Sequence, residues 1–301
     1  MTAINITVPA TTANLGAGFD CIGAALTLYN QFKFTPNESF RISVSGLEAQ
    51  KVTTDDSNLA YQSFTKFYEH RGEQTPPVHI EIGLDVPLAR GLGSSATAIV
   101  GGLLGANHLA GLPLSQDEIM NLAIALEGHP DNVVPALLGG CRLAASGDNN
   151  WAICDVPWHE SIVPVVAIPN FELSTAEARR VLPTQVSRAD AIFNTAHLGL
   201  LVRALQTGRA DWLKVALQDR LHQPYRQVLI HGFEAVQRAA LEAGALGLVI
   251  SGAGPTLLAL VDKMQAAKVE SAIASTWQSA GVIVDVRSLS LDTQGAKADI
   301  G

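Results

Sequence analysis

Pro87-Leu88-Ala89-Arg90-Gly91-Leu92-Gly93-Ser94-Ser95-Ala96-Thr97 is the stretch on which the reading of this chain turns. Two glycines and two serines stand at the mouth of an uncharged helix, the makings of a phosphate cradle. Gly91 and Gly93 can take backbone angles closed to other residues and so let a phosphate approach the main chain. Ser94 and Ser95 open the helix, where unpaired N–H groups and the positive dipole end favour an anion. No Gly-Lys-Ser/Thr follows the glycines, so this is not a Walker loop. A plain glycine turn with a serine cap is the alternative reading of the same residues.

Working outward, Val78 to Val86 alternates as a strand and delivers the chain to the loop, and Ser94–Ala110 reads as a helix. Gly91 to Leu112 contains no Asp, Glu, Lys or Arg, but six glycines, Asn107 and His108 interrupt it. A helix buried in a globular domain is expected there, not a membrane span. Gly101 and Gly105, four apart, predict close packing against a neighbour. Upstream, Ile4–Pro9, Leu26–Phe34 and Phe40–Ser45 read as strands, and Ala10–Gly18 as a small-residue loop. Asp56-Ser-Asn58 starts a helix over Leu59–His70, and Ser115-Gln-Asp-Glu118 caps one ending at Glu127. Pro130 predicts that Gly128–Asn132 is a turn or loop before a short helix at Val133–Leu138.

The polar, proline-containing stretch Gly147–Pro164 is the expected boundary between an N-terminal unit, 1–155, and a C-terminal unit, 156–301. The second unit opens with a strand at Val163–Ile168 and a capping box at Ser174-Thr-Ala-Glu177. Helices at Arg188–Gln206, Asp211–Arg220 and near His231–Ala243 follow. The strands Leu246–Ser251 and Thr256–Val261 flank a tight Gly252-Ala-Gly-Pro255 turn. The polar tail from Leu291 is expected to be flexible. Strands and helices mixed without regular alternation predict an α+β fold.

At 301 residues the chain can bury a sizeable core; 48% hydrophobic and 16% charged residues describe a globular protein. A net charge of −8 gives no electrostatic case for nucleic acid or an anionic membrane. A phosphate-bearing ligand must then be held by local backbone and a few placed cations. Cys21, Cys141 and Cys154 are scattered, and neither a disulfide framework nor a Cys-x-x-Cys site is present. That fits a cytoplasmic protein, and the N-terminus lacks the features of a signal peptide.

Phosphoryl transfer needs a cradle, a divalent cation with oxygen ligands, and an oriented nucleophile. Ser95 is the candidate hydroxyl ligand for Mg²⁺ and Glu127 the candidate carboxylate. A carboxylate at a helix C-terminus is unfavourable without a cationic partner. His129, Asp131 and Asn132 crowd the next positions, though His-Pro-Asp-Asn is also an ordinary turn sequence. Asn14 and Asp20 bracket a second glycine-rich loop, and Ser251–Pro255 forms a third. Arg179 and Arg226 are isolated cations able to clamp a carboxylate, or ordinary surface arginines.

Five segments together carry a family resemblance: Pro9-Ala-Thr-Thr-Ala-Asn-Leu-Gly-Ala-Gly-Phe-Asp20, Pro87-x3-Gly-Leu-Gly-Ser-Ser95, Glu127-Gly-His-Pro-Asp-Asn132, Ser174-Thr-Ala-Glu-Ala-Arg179 and Ile250-Ser-Gly-Ala-Gly-Pro-Thr256. They resemble the GHMP small-molecule kinases, the family that includes galactokinase and mevalonate kinase, in order from about residue 4 to 290. The first segment is similar to members acting on L-homoserine; sugar and mevalonate relatives begin with Pro-Gly-Arg or Pro-Gly-Lys. The resemblance implies a two-domain α+β kinase fold with the active site between the domains. It implies ATP on Pro87–Thr97, Gly252 and Gly254, with Asn58 at the adenine and Mg²⁺ on Ser95 and Glu127. It implies L-homoserine among Asn14, Asp20, His129, Asn132, Thr175, Arg179 and Arg226, with O-phospho-L-homoserine, a step towards threonine, as product.

Ser95, Glu127 and Asn132 are the implied catalytic positions, and the resemblance admits a homodimer. Mevalonate-type relatives have Asp where this chain has Asn132, and an amide cannot take a proton at neutral pH. Positioning and electrostatic stabilisation are therefore expected to carry catalysis, with Asp131 the neighbour that would contradict this. Another kinase of the family and a ligand sensor that has lost catalysis are the alternatives. A dinucleotide-binding oxidoreductase is disfavoured, since Gly91-x-Gly93 lacks the third glycine and the downstream acid.

Overall fold

The computed structural model describes residues 3–148 and 150–300. The first half contains strands β1 (Ile4–Ala13), β2 (Ile22–Pro36), β3 (Arg41–Gly46), β4 (Val78–Leu84), β5 (Cys141–Ser146) and β6 (Trp151–Asp155). Its helices are α1 (Leu59–His70), α2 (Ser94–Leu109), α3 (Gln116–Glu127) and α4 (Pro130–Leu138). The second half contains β7 (Ile162–Pro169), β8 (Gly247–Ile250), β9 (Leu257–Asp262) and β10 (Val284–Ser288). With them come α5 (Thr175–Arg180), α6 (Arg188–Thr207), α7 (Ala210–Ala216), α8 (Gln223–Arg226), α9 (Phe233–Ala243) and α10 (Ala266–Ser279). A last strand, β11 (Lys297–Ile300), returns to the first half.

The first sheet runs β11-β1-β2-β4-β3, and β2 also pairs with β5, which carries β6. Strand β2 reaches both neighbours because its two ends do different work: Gln31–Pro36 pair with β4, and Ile22–Ala24 with β5. Helices α1, α2 and α4 cover this sheet, burying Phe32, Phe34, Phe64, Phe67 and Val100. Glycine sets how closely α2 can lie. A Cβ on Gly101 would meet the Phe32 ring at 2.6 Å, and one on Gly105 the Phe34 ring at 2.3 Å. On the neighbouring face, a Cβ on Gly102 would stand 2.2 Å from the Ala60 carbonyl oxygen, so α1 and α2 touch through backbone. The glycine-rich sequence therefore serves packing inside the protein. Among the described residues no helix is long and apolar enough to cross a membrane.

The second sheet, β10-β7-β9-β8, is antiparallel throughout. One face buries Val165, Val236, Ala240, Ile273 and Trp277 with α9 and α10. The opposite face packs Val166, Leu258 and Leu260 against α6 and α7. That second core continues without a break into Ala10, Leu15, Leu26 and Leu92 of the first half, so the halves share apolar contacts.

Three expectations need correction. Strand β1 does not stop at Pro9: after a register shift between Pro9 and Ala10 it pairs on to Ala13, and the loop begins at Asn14. Pro130 does not keep Asp131 and Asn132 out of a helix. It is the first residue of α4, where its missing N–H costs nothing and its fixed φ suits the turn. The tail, finally, is docked. Lys297–Ile300 pair with Ile4–Thr7, and Leu291 bridges to Leu26. Asp292 fixes the turn between them, accepting from the N–H groups of Gln294 (2.9 Å) and Gly295 (2.6 Å) and from the Tyr29 hydroxyl (2.9 Å). Burial and that carboxylate push the Tyr29 phenol up to about 12.

Asp292→Ala strips an acceptor from two amides and a phenol, at a cost of about 2–3 kcal/mol. Thermal unfolding is expected to show a fall in Tm of several degrees; an unchanged Tm would mean that the tail does not dock.

Candidate active site

A cavity of about 530 Å³ opens between the halves. It is walled by the loop after β1, the segment before α1, the glycine-rich loop into α2, the α3–α4 junction, the start of α5, and the β8–β9 turn. At its centre is the N-terminus of α2. Gly93 caps this helix at φ +68°, with no side chain on its first-turn N–H groups, so they face the cavity between Ser94 and Ser95.

The two loop glycines take the left-handed backbone angles the sequence suggests, and they also make room for neighbouring protein. A Cβ on Gly91 would stand 2.2 Å from the Ser251 carbonyl oxygen, and one on Gly93 2.0 Å from Thr11 Oγ1. Their missing side chains make room for protein as well as permitting positive φ (75° and 68°). Arg90 is likewise committed. Its buried guanidinium donates to the carbonyls of Pro169 (3.0 Å), Leu88 (2.7 Å) and Asn170 (3.0 Å) and meets Glu48 at 3.3 Å. It pins the loop from the cavity wall. Leu92 and Ala96 point into the cores, and Pro87, Leu92, Ala96 and Gly254 do not line the cavity. Gly254 packs behind it against Leu173, Ile230 and Ile250.

Ser95 and Glu127, 32 positions apart, meet at 2.8 Å (Oγ to Oε1). Burial raises the Glu127 carboxyl above its ordinary value, against the pull of Ser95, His129 and Arg179. One hydroxyl and one half-buried carboxylate at an anion-attracting helix mouth form an oxygen donor pair of the kind Mg²⁺ takes. Elsewhere on the cavity wall, Asn58 is buried as the N-cap of α1: its Oδ1 accepts from the N–H groups of Ala60 and Tyr61, and its Nδ2 donates to the Thr53 carbonyl. One N–H remains for a ligand.

The same cavity also concentrates charge. Arg179 on α5 grips Asp20 with two hydrogen bonds, 2.8 and 3.0 Å. Asn14 closes the same loop, accepting from the Asp20 N–H (2.8 Å) and donating to the Gly252 carbonyl (2.9 Å). Both Asn14 and Asp20 sit in the left-handed region, φ 60° and 55°. Arg226 is 1% exposed and donates to the carbonyls of Ala178 and Gly252. Burial and the nearby Arg179 lower its pKa to about 10. Thr175 begins α5 at the cavity wall.

His129 Nδ1 lies 2.6 Å from Asp131, whose side chain is 1% exposed. Burial pulls the imidazole's pKa down, but Asp131 together with the charges of Glu127 and Asp20 more than offsets it and the net shift is upward. The other Asp131 oxygen has no partner among the described residues. Asn132 accepts from Thr11 Oγ1 at 2.7 Å. Asp20, His129 and Asp131 approach one another closely enough to hold a cation, yet Asp20 is engaged by Arg179 and Asp131 by His129.

Sequence reasoning missed several residues that shape the site. Buried Asn30 accepts from the N–H groups of Asp85 (3.0 Å) and Val86 (2.9 Å) and donates to Thr97 (2.8 Å), joining β4 to α2. Glu48 accepts from the Leu88 N–H (3.0 Å) and pairs with Lys51 (2.6 Å), which lines the cavity. Asn30 bonds to groups 55 to 67 positions away and Glu48 to a backbone N–H 40 positions away, so no local pattern marks these roles.

Two halves, an open helix mouth after a glycine-rich loop and charged side chains in one shared cavity are the features of a small-molecule kinase site. The GHMP kinases N terminal domain matches residues 58–140 and the GHMP kinases C terminal domain residues 201–279. The homoserine kinase of Nostoc punctiforme is 69% identical over 301 residues, covering 99% of each chain. The crystal structure of homoserine kinase from Cytophaga hutchinsonii superposes with a TM-score of 0.89 at 30% identity, covering 99% of this chain and 97% of that one. Mevalonate kinase of L. major, at 16% identity and a TM-score of 0.70 over 96% of each chain, shares the fold. The chain belongs to the GHMP kinase family, among its homoserine kinases. It is an ATP-dependent kinase.

The Glu127 pair makes a stability prediction. With its pKa raised, the protonated form's advantage is complete below the ordinary carboxyl value of about 4.3 and lost as pH rises through the folded value. At neutral pH the ionised group therefore costs stability. Glu127→Gln is expected to raise Tm of the metal-free protein at pH 7.5, with the gap closing at pH 4. A lower Tm at pH 7.5 would contradict it.

Proposed function

We propose that this protein transfers the γ-phosphoryl group of ATP to the primary hydroxyl of L-homoserine, giving ADP and O-phospho-L-homoserine on the route to threonine. The observation that carries this reading is the Asp20–Arg179 pair, with Arg226 beside it, lining the same cavity as the mouth of α2. A ligand with one ammonium and one carboxylate exchanges that single ion pair for two: ammonium on Asp20, carboxylate on Arg179 and Arg226. Its hydroxyl is then directed towards the nucleotide. A substrate without an ammonium draws Arg179 from Asp20 and offers that carboxylate no partner in return, so the site favours a ligand that pairs both.

In this reading the N–H groups at the start of α2 hold the ATP phosphates, and Asn58 meets the adenine with its remaining N–H. Ser95 and Glu127 would hold Mg²⁺, which supplies charge neutralisation of the phosphates. Glu127 needs a cation at neutral pH, since burial makes its lone charge unfavourable. Asn132, fixed by Thr11, orients the hydroxyl but cannot take its proton. Asp131 is held by His129 and closed off from solvent. Catalysis therefore rests on alignment and on the electrostatics of α2, with no side chain acting as base.

The test is ADP release with Mg-ATP over homoserine, threonine, serine, 4-hydroxybutyrate, mevalonate and galactose. Homoserine is expected to exceed 4-hydroxybutyrate by at least about 100-fold in kcat/KM. Turnover only with another alcohol would replace the substrate, and nucleotide binding without any turnover would make the protein a sensor. Ser95→Ala and Glu127→Ala are each expected to lower kcat by about 100-fold.

Asp131→Asn decides the question of a base. A base-free reaction loses less than about tenfold in kcat, below the span attributed to general bases. A larger loss at unchanged substrate affinity and folding would install Asp131 in that role.

A further inference from the structure

His222 is 0% exposed, does not line the cavity, and has no part in the mechanism above. It nevertheless reaches across 206 residues to place Nε2 2.9 Å from the Gly16 carbonyl oxygen. A carbonyl only accepts, so Nε2 carries the proton, and Nδ1 has no partner among the described residues. The imidazole also stacks on Phe19, centroids 5.1 Å apart and planes 19° from parallel. The Arg226 and Arg179 guanidinium carbons stand 5.0 and 5.8 Å from the Phe19 ring centre. One buried ring thus supports the backbone of the Asn14–Asp20 loop and the aromatic ring beside both arginines.

The loop depends on such support. Asn14, Gly16 and Asp20 all have positive φ, and a Cβ on Gly16 would stand 2.9 Å from Leu217 Cα. The charged groups around the imidazole are Asp219, Arg226 and Asp20. Asp219 is 3.6 Å from Nε2 and is occupied by the N–H groups of Leu221, His222 and Gln223 and by Asn194 Nδ2. Burial keeps His222 neutral at neutral pH by lowering its pKa.

We infer that His222 is a positioning residue for the amino-acid half of the site, setting through Gly16 and Phe19 where Asp20, Arg179 and Arg226 meet the ligand. This rests on the homoserine reading above for its kinetic consequence, but its structural consequence is measurable without any ligand. The nucleotide half is fixed by other residues (Asn30, Glu48 and Arg90), so the effect is confined to one substrate.

The experiment compares His222→Ala with His222→Gln, whose amide keeps a donor nitrogen. His222→Ala is expected to raise KM for homoserine about tenfold, as a displaced binding group does, with KM for Mg-ATP and kcat nearly unchanged. His222→Gln is expected to restore most of that loss. Hydrogen exchange of the ligand-free protein over residues 14–20 should quicken in the alanine variant and return towards the parent in the glutamine variant. Both KM values rising together, no rescue by glutamine, or unaltered loop exchange would each overturn the role of His222. If His222→Ala does not fold, Phe19→Leu carries the same expectation, and an unchanged homoserine KM there overturns it. Failure of the parent protein to phosphorylate homoserine overturns the substrate reading instead, while ligand-free exchange still decides the role of His222.

Discussion

The structure depends on how three glycine-rich loops lock together through their backbones. Thr11 N–H donates to the Leu92 carbonyl, Thr256 N–H to that of Arg90, and Gly252 N–H to that of Ala13. Ser251 Oγ adds a bond to the Gly91 carbonyl (2.7 Å). The loop after β1, the loop before α2 and the β8–β9 turn are thereby held in one arrangement, although they come from distant parts of the chain. Side chains at Gly91 or Gly93 would occupy the space that neighbouring loops fill. Glycine is required here because backbone must approach backbone, and the anion-binding mouth of α2 follows from that approach.

This arrangement explains how an acidic protein of net charge −8 can accommodate a nucleotide. Among the loop residues Arg90 is the cation, and it is consumed by main-chain carbonyls and Glu48. What faces the cavity at α2 is peptide dipole, which is aligned before any ligand arrives and needs no reorganisation. Arg179 and Arg226 line the same cavity beside Asp20, so the cations there lie outside the glycine-rich loop.

Much of this was legible in the sequence, and unevenly so for physical reasons. Helices α1 and α2 carry their own start signals, so Leu59–His70 and the helix from Ser94 could be read locally. Strand β11 could not: its polar sequence is stabilised by the edge of β1 and the Asp292 turn, not by a pattern of its own. Pro130 misled because the same residue that breaks a helix interior also suits a helix start. In the site, Ser95, Glu127, Asp20 and Arg179 stood out as polar groups in or beside glycine-rich or capping motifs. Asn30 and His222 did not, since a buried polar residue betrays its task only through partners tens to hundreds of positions away.

The cations of the cleft fall into two kinds, and burial sorts them. Arg90 and Arg226, 6% and 1% exposed, are bound to main-chain carbonyls that cannot leave, so both are held rigid, Arg226 on the cavity wall beside Arg179. Arg179 and Lys51 instead pair with carboxylates across the two halves, with their side chains 39% and 45% exposed. Pairs so open to water are held weakly and exchange readily for a ligand's charges. A ligand entering the cleft can therefore take over the pairs that link the halves without disturbing the buried bonds that shape them. That division lets the site be rigid where phosphates must align and yielding where a zwitterion must enter.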